Sequence, residues 1–246
     1  MKFIPSMILY GGKRIKEKKY LSNETLSIIT VVKNGEKNIE RCIKSVIAQN
    51  DRNIEHIIID GRSEDRTVEI IKAYDKYISL WISEEDSGLY NALNKGIRYV
   101  RGNYYIPLSA DDELLPGGHK LLLKECNENV LAVMGKVKFS DRKNNIRYVH
   151  GHSAGSIINL KAHKLYGFYD EKYKIAADTK FLQMLNRENK LKKIDHVIGK
   201  FYLGGISSNY RSTIKEHCLA MYESKSWGVI KALFWIFPRL IISFFR

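Results

Sequence analysis

With 246 residues, 44% of them hydrophobic and 28% charged, the chain is long enough to bury a sizeable core and too apolar to be disordered. Its three cysteines, Cys42, Cys126 and Cys218, form no Cys-x-x-Cys pair, which argues against a zinc knuckle or disulfide scaffold and fits a reducing compartment. The formal charge is +14, and residues 1–25 and 211–246 each hold six Lys/Arg against two Glu; no zinc-finger, RNA-recognition or helix-turn-helix signature stands beside this surplus, so an anionic membrane or small substrate is expected and nucleic acid is not.

The stretch MKFIPSMILYGGKRIKEKK has its charges after a short apolar run and no long apolar core, so no signal peptide is expected. A first strand is predicted over 26–32 (LSIITVV), β-branched and apolar on both faces as buried parallel strands are. Asn34-Gly35 ends it. Ile39, Cys42, Ile43, Val46 and Ile47 then fall at i, i+3, i+4, i+7 and i+8, the spacing of a helix. A second strand follows over 55–60 (EHIIID), with Ser63 placed to cap a helix carrying Val68, Ile71 and Tyr74. A third strand is predicted over 78–83, then a helix from Leu89 with Leu93, Ile97 and Val100 on one face and Gly102 beyond its end. The fourth strand, 104–108, runs into SADDE, and Pro107 within it predicts a short or edge strand. The series predicts an α/β fold, an open, mostly parallel central sheet with helices on both faces.

The second half is less regular. Strands are expected over 131–139 and 156–159, a helix beginning near Asp178 with Phe181, Leu182 and Leu185, a turn-rich stretch over 199–208 and a helix from about Thr213. The end, WGVIKALFWIFPRLIISFFR, is apolar and aromatic but broken by Lys231, Pro238 and Arg239. Its uninterrupted runs fall short of the about 20 residues that span a bilayer. Trp and Phe beside Lys/Arg predict a tail lying in the membrane interface, with packing on the domain as the alternative.

Ligands of open parallel sheets bind beyond the carboxyl ends of the strands. Asp60 follows the second strand, Asp86 the third and Asp111-Asp112 the fourth. Such a cluster can hold a hard cation or accept hydrogen bonds from a base and a ribose. An adjacent Asp pair suits magnesium or manganese, which take one or two carboxylates plus substrate phosphates. One such acid alone would read as an N-cap or turn residue; four at successive strand ends point to function. The first strand is followed by Lys33-Asn34-Gly35-Glu36, not Gly-x-Gly-x-x-Gly, and there is no P-loop. A nucleotide here would be held by carboxylates and a metal.

The stretches LSIITVVKNGEKNIERCIKSVIAQ, HIIIDGRSEDRTVEII, SEEDSGLYNALNKGI and GNYYIPLSADDELLPGG resemble the family-2 glycosyltransferases of GT-A fold, above all the bacterial subgroup that builds O-antigen, capsule and exopolysaccharide repeat units. The likeness is strongest over 26–120 and continues through HGHSAGSIINLKAHKLYGFYDEKYKIAADTKFLQML and FYLGGISS to about 208. It implies an inverting, Mn2+- or Mg2+-dependent transfer from a nucleotide sugar, with UDP the expected nucleotide, to a polyprenyl-diphosphate-linked sugar on the cytoplasmic face of the membrane. By the same resemblance Thr30 and Val32 contact the nucleotide, Asp60 its base, and Asp86, Asn94 and Lys95 belong to the same nucleotide-side motif. Asp111 faces the ribose, Asp112 ligates the metal, and Asp178 in IAADTKF is the catalytic base; an Asp opening a helix also reads as an N-cap. His152 matches an acceptor-side His of the subgroup, while His150 and His152 on their own read equally as a polar loop. Arg62, Asn91 and Ser109 depart from the residues the family often has there. Arg62 is expected to be a solvated loop residue.

The organisation that follows is a basic extension (1–25), a glycosyltransferase-like domain (26–210) with a nucleotide-binding half (26–120) and an acceptor-binding half (121–210), and a membrane-associating tail (211–246). Two other classes are open. A nucleotidyltransferase can use a similar sheet and metal but favours a Gly-rich basic loop after the first strand, where only Lys33 stands. A basic peripheral membrane or nucleic-acid-binding module would bind by charge alone and gives no reason for acids at successive strand ends.

Overall fold

Ten strands form one mixed, mostly parallel sheet in the computed structural model, which describes residues 8–16, 26–140, 144–203 and 210–228. The elements run β1 (Leu9–Gly11), α1 (Lys13–Lys16), β2 (Leu26–Val32), α2 (Ile39–Ile47), β3 (Ile54–Asp60), α3 (Thr67–Ala73), β4 (Leu80–Ser83), α4 (Leu89–Arg98), β5 (Tyr104–Ser109) and β6 (Glu113–Leu114). They continue as α5 (Gly118–Leu123), β7 (Ala132–Ser140), β8 (Ile146–Val149), β9 (Ser156–Asn159), α6 (Leu160–Tyr166), α7 (Ala177–Arg187), β10 (Leu191–Lys200) and α8 (Tyr210–Glu223). The sheet order is β1-β4-β3-β2-β5-β9-β7-β10-β6, with β8 on β7.

All seven residues of β2 are buried, because β3 and β5 flank it in parallel and helices cover both its faces. Ile29 and Val31 join Leu93 and Ile97 of α4 and Phe181, Leu182 and Leu185 of α7 in one core. Leu26 and Ile28 face the opposite way, onto Cys42 and Val46 of α2. Gly96 lets α4 approach closely: a Cβ there would lie 2.5 Å from Cγ2 of Ile29.

Several expectations are corrected. Pro107 lies in a six-residue strand well inside the sheet, not at an edge. The strand tolerates it because β9 pairs only with Tyr104 and Tyr105, so Pro107 lies past the last rung on that side. Ser63 does not cap α3, whose N-cap is Arg66; it bonds Asp60 instead. The stretch from Gly199, read as turns, begins inside β10, which pairs in parallel with β7. Leu9–Gly11, within the basic stretch 1–25, pair antiparallel with β4. No helix among the described residues is long and apolar enough to cross a membrane. The apolar tail from 229 onward lies outside the described residues.

Candidate active site

The chain runs from β2 to β3 and β4 on one side and then returns to place β5 on the other side of β2. That reversal is a topological switch point, where open α/β sheets leave a crevice at the carboxyl ends of the strands. A cavity of about 660 Å³ opens there. Val32, Lys33 and Asn34 after β2 and Ser109 to Asp112 after β5 line one side. His152, Ser153, Ile175, Asp178, Phe201 and Tyr202 line the other, and Leu89 and Tyr90 lie at the start of α4. Asp111, Asp112, Asp178, His152 and Val32 thus meet in one cavity although Asp178 is far along the chain.

Asp112 is only 1% exposed. Its Oδ1 accepts a long hydrogen bond from the Tyr202 amide at 3.4 Å, while Oδ2 is buried without a partner. Burial, with the neighbouring Asp111 carboxylate, pushes its carboxyl up to about 8. Oδ2 lies 3.8 Å from Nδ1 of His152. Burial drives the His152 imidazole down to about 4, so it is neutral at pH 7. Its Nδ1 accepts the Ala154 amide at 3.3 Å. A carboxyl raised this far keeps its proton at neutral pH, so in the absence of a cation Asp112 is held neutral beside the neutral imidazole. A divalent cation would displace that proton and take the partnerless Asp112 Oδ2 as its carboxylate ligand; His152 Nδ1, which accepts the Ala154 amide, lies beside the site without a free lone pair. No group of three or more His, Cys, Asp or Glu among the described residues could enclose a metal, so further ligands would come from a phosphate-bearing substrate.

Arg41 supports this turn. Its Nη2 donates to the Asp111 carbonyl at 2.7 Å, its Nε lies 3.1 Å from Glu113, and its guanidinium lies 3.8 Å from the Tyr202 ring centre. Lys200 lies 4.3 Å from the same ring centre. The Asp111 carboxyl is raised by burial, partly offset by Arg41.

Asp178 is half-buried in the first turn of α7, whose N-cap is Ala176, so it is not the cap that its position in the sequence allows. Its Oδ1 accepts from the Tyr90 hydroxyl at 2.9 Å and the Thr179 amide at 2.7 Å. Burial raises its carboxyl, and hydrogen bonds from Tyr90, Thr179 and Ser153 work against that rise. Tyr90 also reaches the Ile175 carbonyl at 2.5 Å.

The other sequence candidates lie elsewhere. Asp60 is fully buried and accepts from the Ser63 amide and hydroxyl and from Ser83 Oγ at 2.6 Å. Asp86 accepts from the Gly88 amide at 3.0 Å and packs on Gly61, where a Cβ would meet its Oδ2 at 2.2 Å. Neither acid lines the cavity; Asp86 comes near it only at Gly61, where the lining residue Lys33 also packs. Thr30 is turned onto α2 and bonds His56 Nε2 at 2.9 Å, so its side chain does not reach the cavity. Asn94 ties α4 to the Tyr169 backbone at 2.9 and 3.1 Å and also donates to Glu171. Lys95 donates to the Glu85 carbonyl at 2.6 Å and pairs with Glu84. Neither lines the cavity. Arg62 has φ +57° and an exposed side chain paired with Glu85, and it does not line the cavity.

Arg41, Tyr90 and Tyr202 escaped the sequence reading. Arg41 sits on a helix among charged neighbours, Tyr202 opens a turn-rich stretch, and neither has a local signal. Tyr90 could have been found from its place at the start of a helix beyond the third strand.

Mannosyltransferase PcManGT from Pyrobaculum calidifontis, in complex with GDP-Man and Mn2+, superimposes with a TM-score of 0.68 at 14% identity, covering 88% of this chain and 70% of that one. Glucosyl-3-phosphoglycerate synthase from Mycobacterium tuberculosis, in complex with Mn2+, UDP and glucosyl-3-phosphoglycerate, gives 0.62 at 13% identity, covering 81% and 79%. The fold is therefore GT-A-like, as expected. The Glycosyl transferase family 2 pattern matches residues 27–193, and the chain belongs to that family. Uncharacterized glycosyltransferase RP339 of Rickettsia prowazekii is 32% identical over 149 residues, 61% of this chain and 42% of that protein. The chain spans about a third to two fifths of the length of such bacterial relatives, 32% and 42% in two of them.

Proposed function

We propose that the protein is an inverting, metal-dependent glycosyltransferase that moves a sugar from a UDP-sugar to a lipid-linked saccharide in bacterial surface polysaccharide biosynthesis, at the inner face of the cytoplasmic membrane. The supporting observation is that one cavity joins Asp112, with a buried partnerless oxygen, to Asp178, a carboxylate raised by burial. The two acids suit different tasks. Asp112, beside Asp111 and with a partnerless oxygen, calls for a cation, whereas Asp178, raised by burial, can take up a proton.

In this reading the nucleoside lies over Val32 toward the ends of β3 and β4, with Asp111 toward the ribose; Asp60, buried and bonded to Ser63 and Ser83, would hold the Ser63 turn beneath the base. Asp112, with His152 beside it, would hold Mn2+ or Mg2+. Such an ion, when bound, offsets the negative charge that develops on the leaving diphosphate. Asp178 accepts the proton of the acceptor hydroxyl as that oxygen attacks the anomeric carbon. The C–O bond to the diphosphate breaks as the new glycosidic bond forms, and attack from the face opposite the leaving group inverts the centre. Tyr90 can serve both states of the base. It donates to ionised Asp178, and to the Ile175 carbonyl when Asp178 carries the proton.

The basic ends and the apolar tail fit an anionic, membrane-borne acceptor. The division into residues 26–120 for the donor and 121–210 for the acceptor belongs to the same proposal. The test is calorimetry of UDP with manganese. Binding is expected in the native protein and a loss of about 10- to 100-fold in Asp112→Asn, the scale on which metal-site changes act. Equal binding in that variant would sink the metal assignment.

A further inference from the structure

The helix α8 grips the segment that carries Asp178 at two carboxylates. Glu216 accepts the backbone amides of Lys174 at 3.0 Å, Ile175 at 2.7 Å and Ala176 at 3.2 Å. These amides lead into α7, where a helix start leaves N–H groups without intrahelical partners. Ala176, the N-cap, has no side chain that could accept them. Seven residues further along α8, on the same face, Glu223 accepts from Lys172 Nζ at 2.9 Å, the Tyr173 hydroxyl at 3.0 Å and Lys180 Nζ at 2.6 Å. The same segment carries the Ile175 carbonyl and the Asp178 carboxylate, both partners of Tyr90. Thr213, one turn before Glu216, lines the cavity itself.

We propose that Glu216 is a positioning residue for the transfer reaction: its carboxylate, bound to three successive amides, fixes the Asp178 side chain against Tyr90 at the attack face of the cavity. The proposal rests on the reading of Asp178 as the base. Hydrogen bonds to an ionised acceptor are about twice as strong as neutral ones, and the three amides fix the backbone of 174–176 immediately before Asp178. A base must lie within hydrogen-bond reach of the proton it takes, and a misplacement of about 1 Å costs on the order of 100-fold in rate.

The experiment measures kcat and donor KM for Glu216→Ala and Glu216→Gln beside Asp178→Asn. It uses UDP-glucose, UDP-galactose and their N-acetylated forms with a synthetic polyprenyl-diphosphate-linked sugar. Amide hydrogen exchange is followed over 172–180. Glu216→Ala is expected to lose about 10- to 100-fold in kcat with donor KM within about twofold, and to exchange faster at 174–176. Glu216→Gln, which keeps one neutral acceptor oxygen, is expected to lose less, about 3- to 10-fold, and decides the matter if the alanine variant does not fold. Native kcat in the Glu216 variants while Asp178→Asn loses transfer overturns the role of Glu216 alone. A rise in donor KM with kcat retained also overturns it, since that is general distortion. Native transfer by Asp178→Asn removes the base and overturns both.

Discussion

The Tyr90 hydroxyl donates to Asp178 at 2.9 Å across 88 residues of sequence, and this bond joins the start of α4 to the start of α7. It links the half of the cavity built by the parallel strands to the half built by the later elements. It also governs the charge of the carboxylate, since a hydrogen bond to the ionised form favours that form.

The pH dependence of transfer follows from the burial of Asp178, which this bond opposes. Asp178 acts when deprotonated, and burial raises its carboxyl above the ordinary value. Transfer is therefore expected to fall as pH is lowered through that raised value, sooner than for an exposed carboxylate near 4. Tyr90→Phe removes a bond that lowers the value, so the rising limb of kcat against pH is expected to move to higher pH, with kcat down about 10-fold. A limb that stays put would separate Tyr90 from the titrating group.

Asp112 concerns the cation. The native carboxylate is buried with one partnerless oxygen beside Asp111, and a buried charge without compensation destabilises. At alkaline pH in chelator, Asp112→Asn is expected to melt higher than the native protein, by about 2–4 °C for each kcal/mol relieved. Manganese with UDP should raise the melting temperature of the native protein and raise that of the variant clearly less at the same concentration. An equal ligand-induced rise in both would count against Asp112 as the ligand.

Gly96 sets two effects against each other. Alanine in a helix interior is favoured over glycine by about 1 kcal/mol. Here the added Cβ would meet Cγ2 of Ile29 at 2.5 Å, and Ile29 lies in a central strand that cannot yield cheaply. Overpacking costs about 1–3 kcal/mol. Gly96→Ala is expected to lower stability by about 1 kcal/mol and, by shifting the helix that carries Tyr90, to slow transfer. Urea unfolding reads the first effect; a gain in stability would show that α4 does not press on β2 so closely.

Removing residues 229–246 tests the tail. The shortened protein is expected to bind UDP with manganese as before and to sediment less with vesicles rich in anionic lipid. Equal sedimentation would assign membrane contact elsewhere.

The parallel half was readable because its strands are long apolar runs and its helices keep the helical period. β2 agrees with its predicted span, as does β9, and the acids at strand ends follow from those spans. β10 was not readable: LKKIDHVIGK alternates no apolar face, and only Ile198 and Gly199 in it are buried. Pro107 misled because the local rule for proline assumes a ladder on both sides, and β9 covers only part of β5. Thr30, at the end of an apolar strand, gave no sign that it would face His56 on the α2 side. Arg41 and Glu216 act through contacts 70 and about 40 residues away, which no local pattern records.

The most direct measurement is product analysis by mass spectrometry. The native protein, Asp112→Asn and Asp178→Asn are each incubated with manganese, the four UDP-sugars and the synthetic polyprenyl-diphosphate-linked sugar. The expected result is an acceptor heavier by one hexose or N-acetylhexosamine, with UDP released by the native protein and by neither variant at more than a small fraction of its rate. Release of pyrophosphate from a nucleoside triphosphate without sugar transfer, or equal transfer by the Asp178→Asn protein, would contradict it.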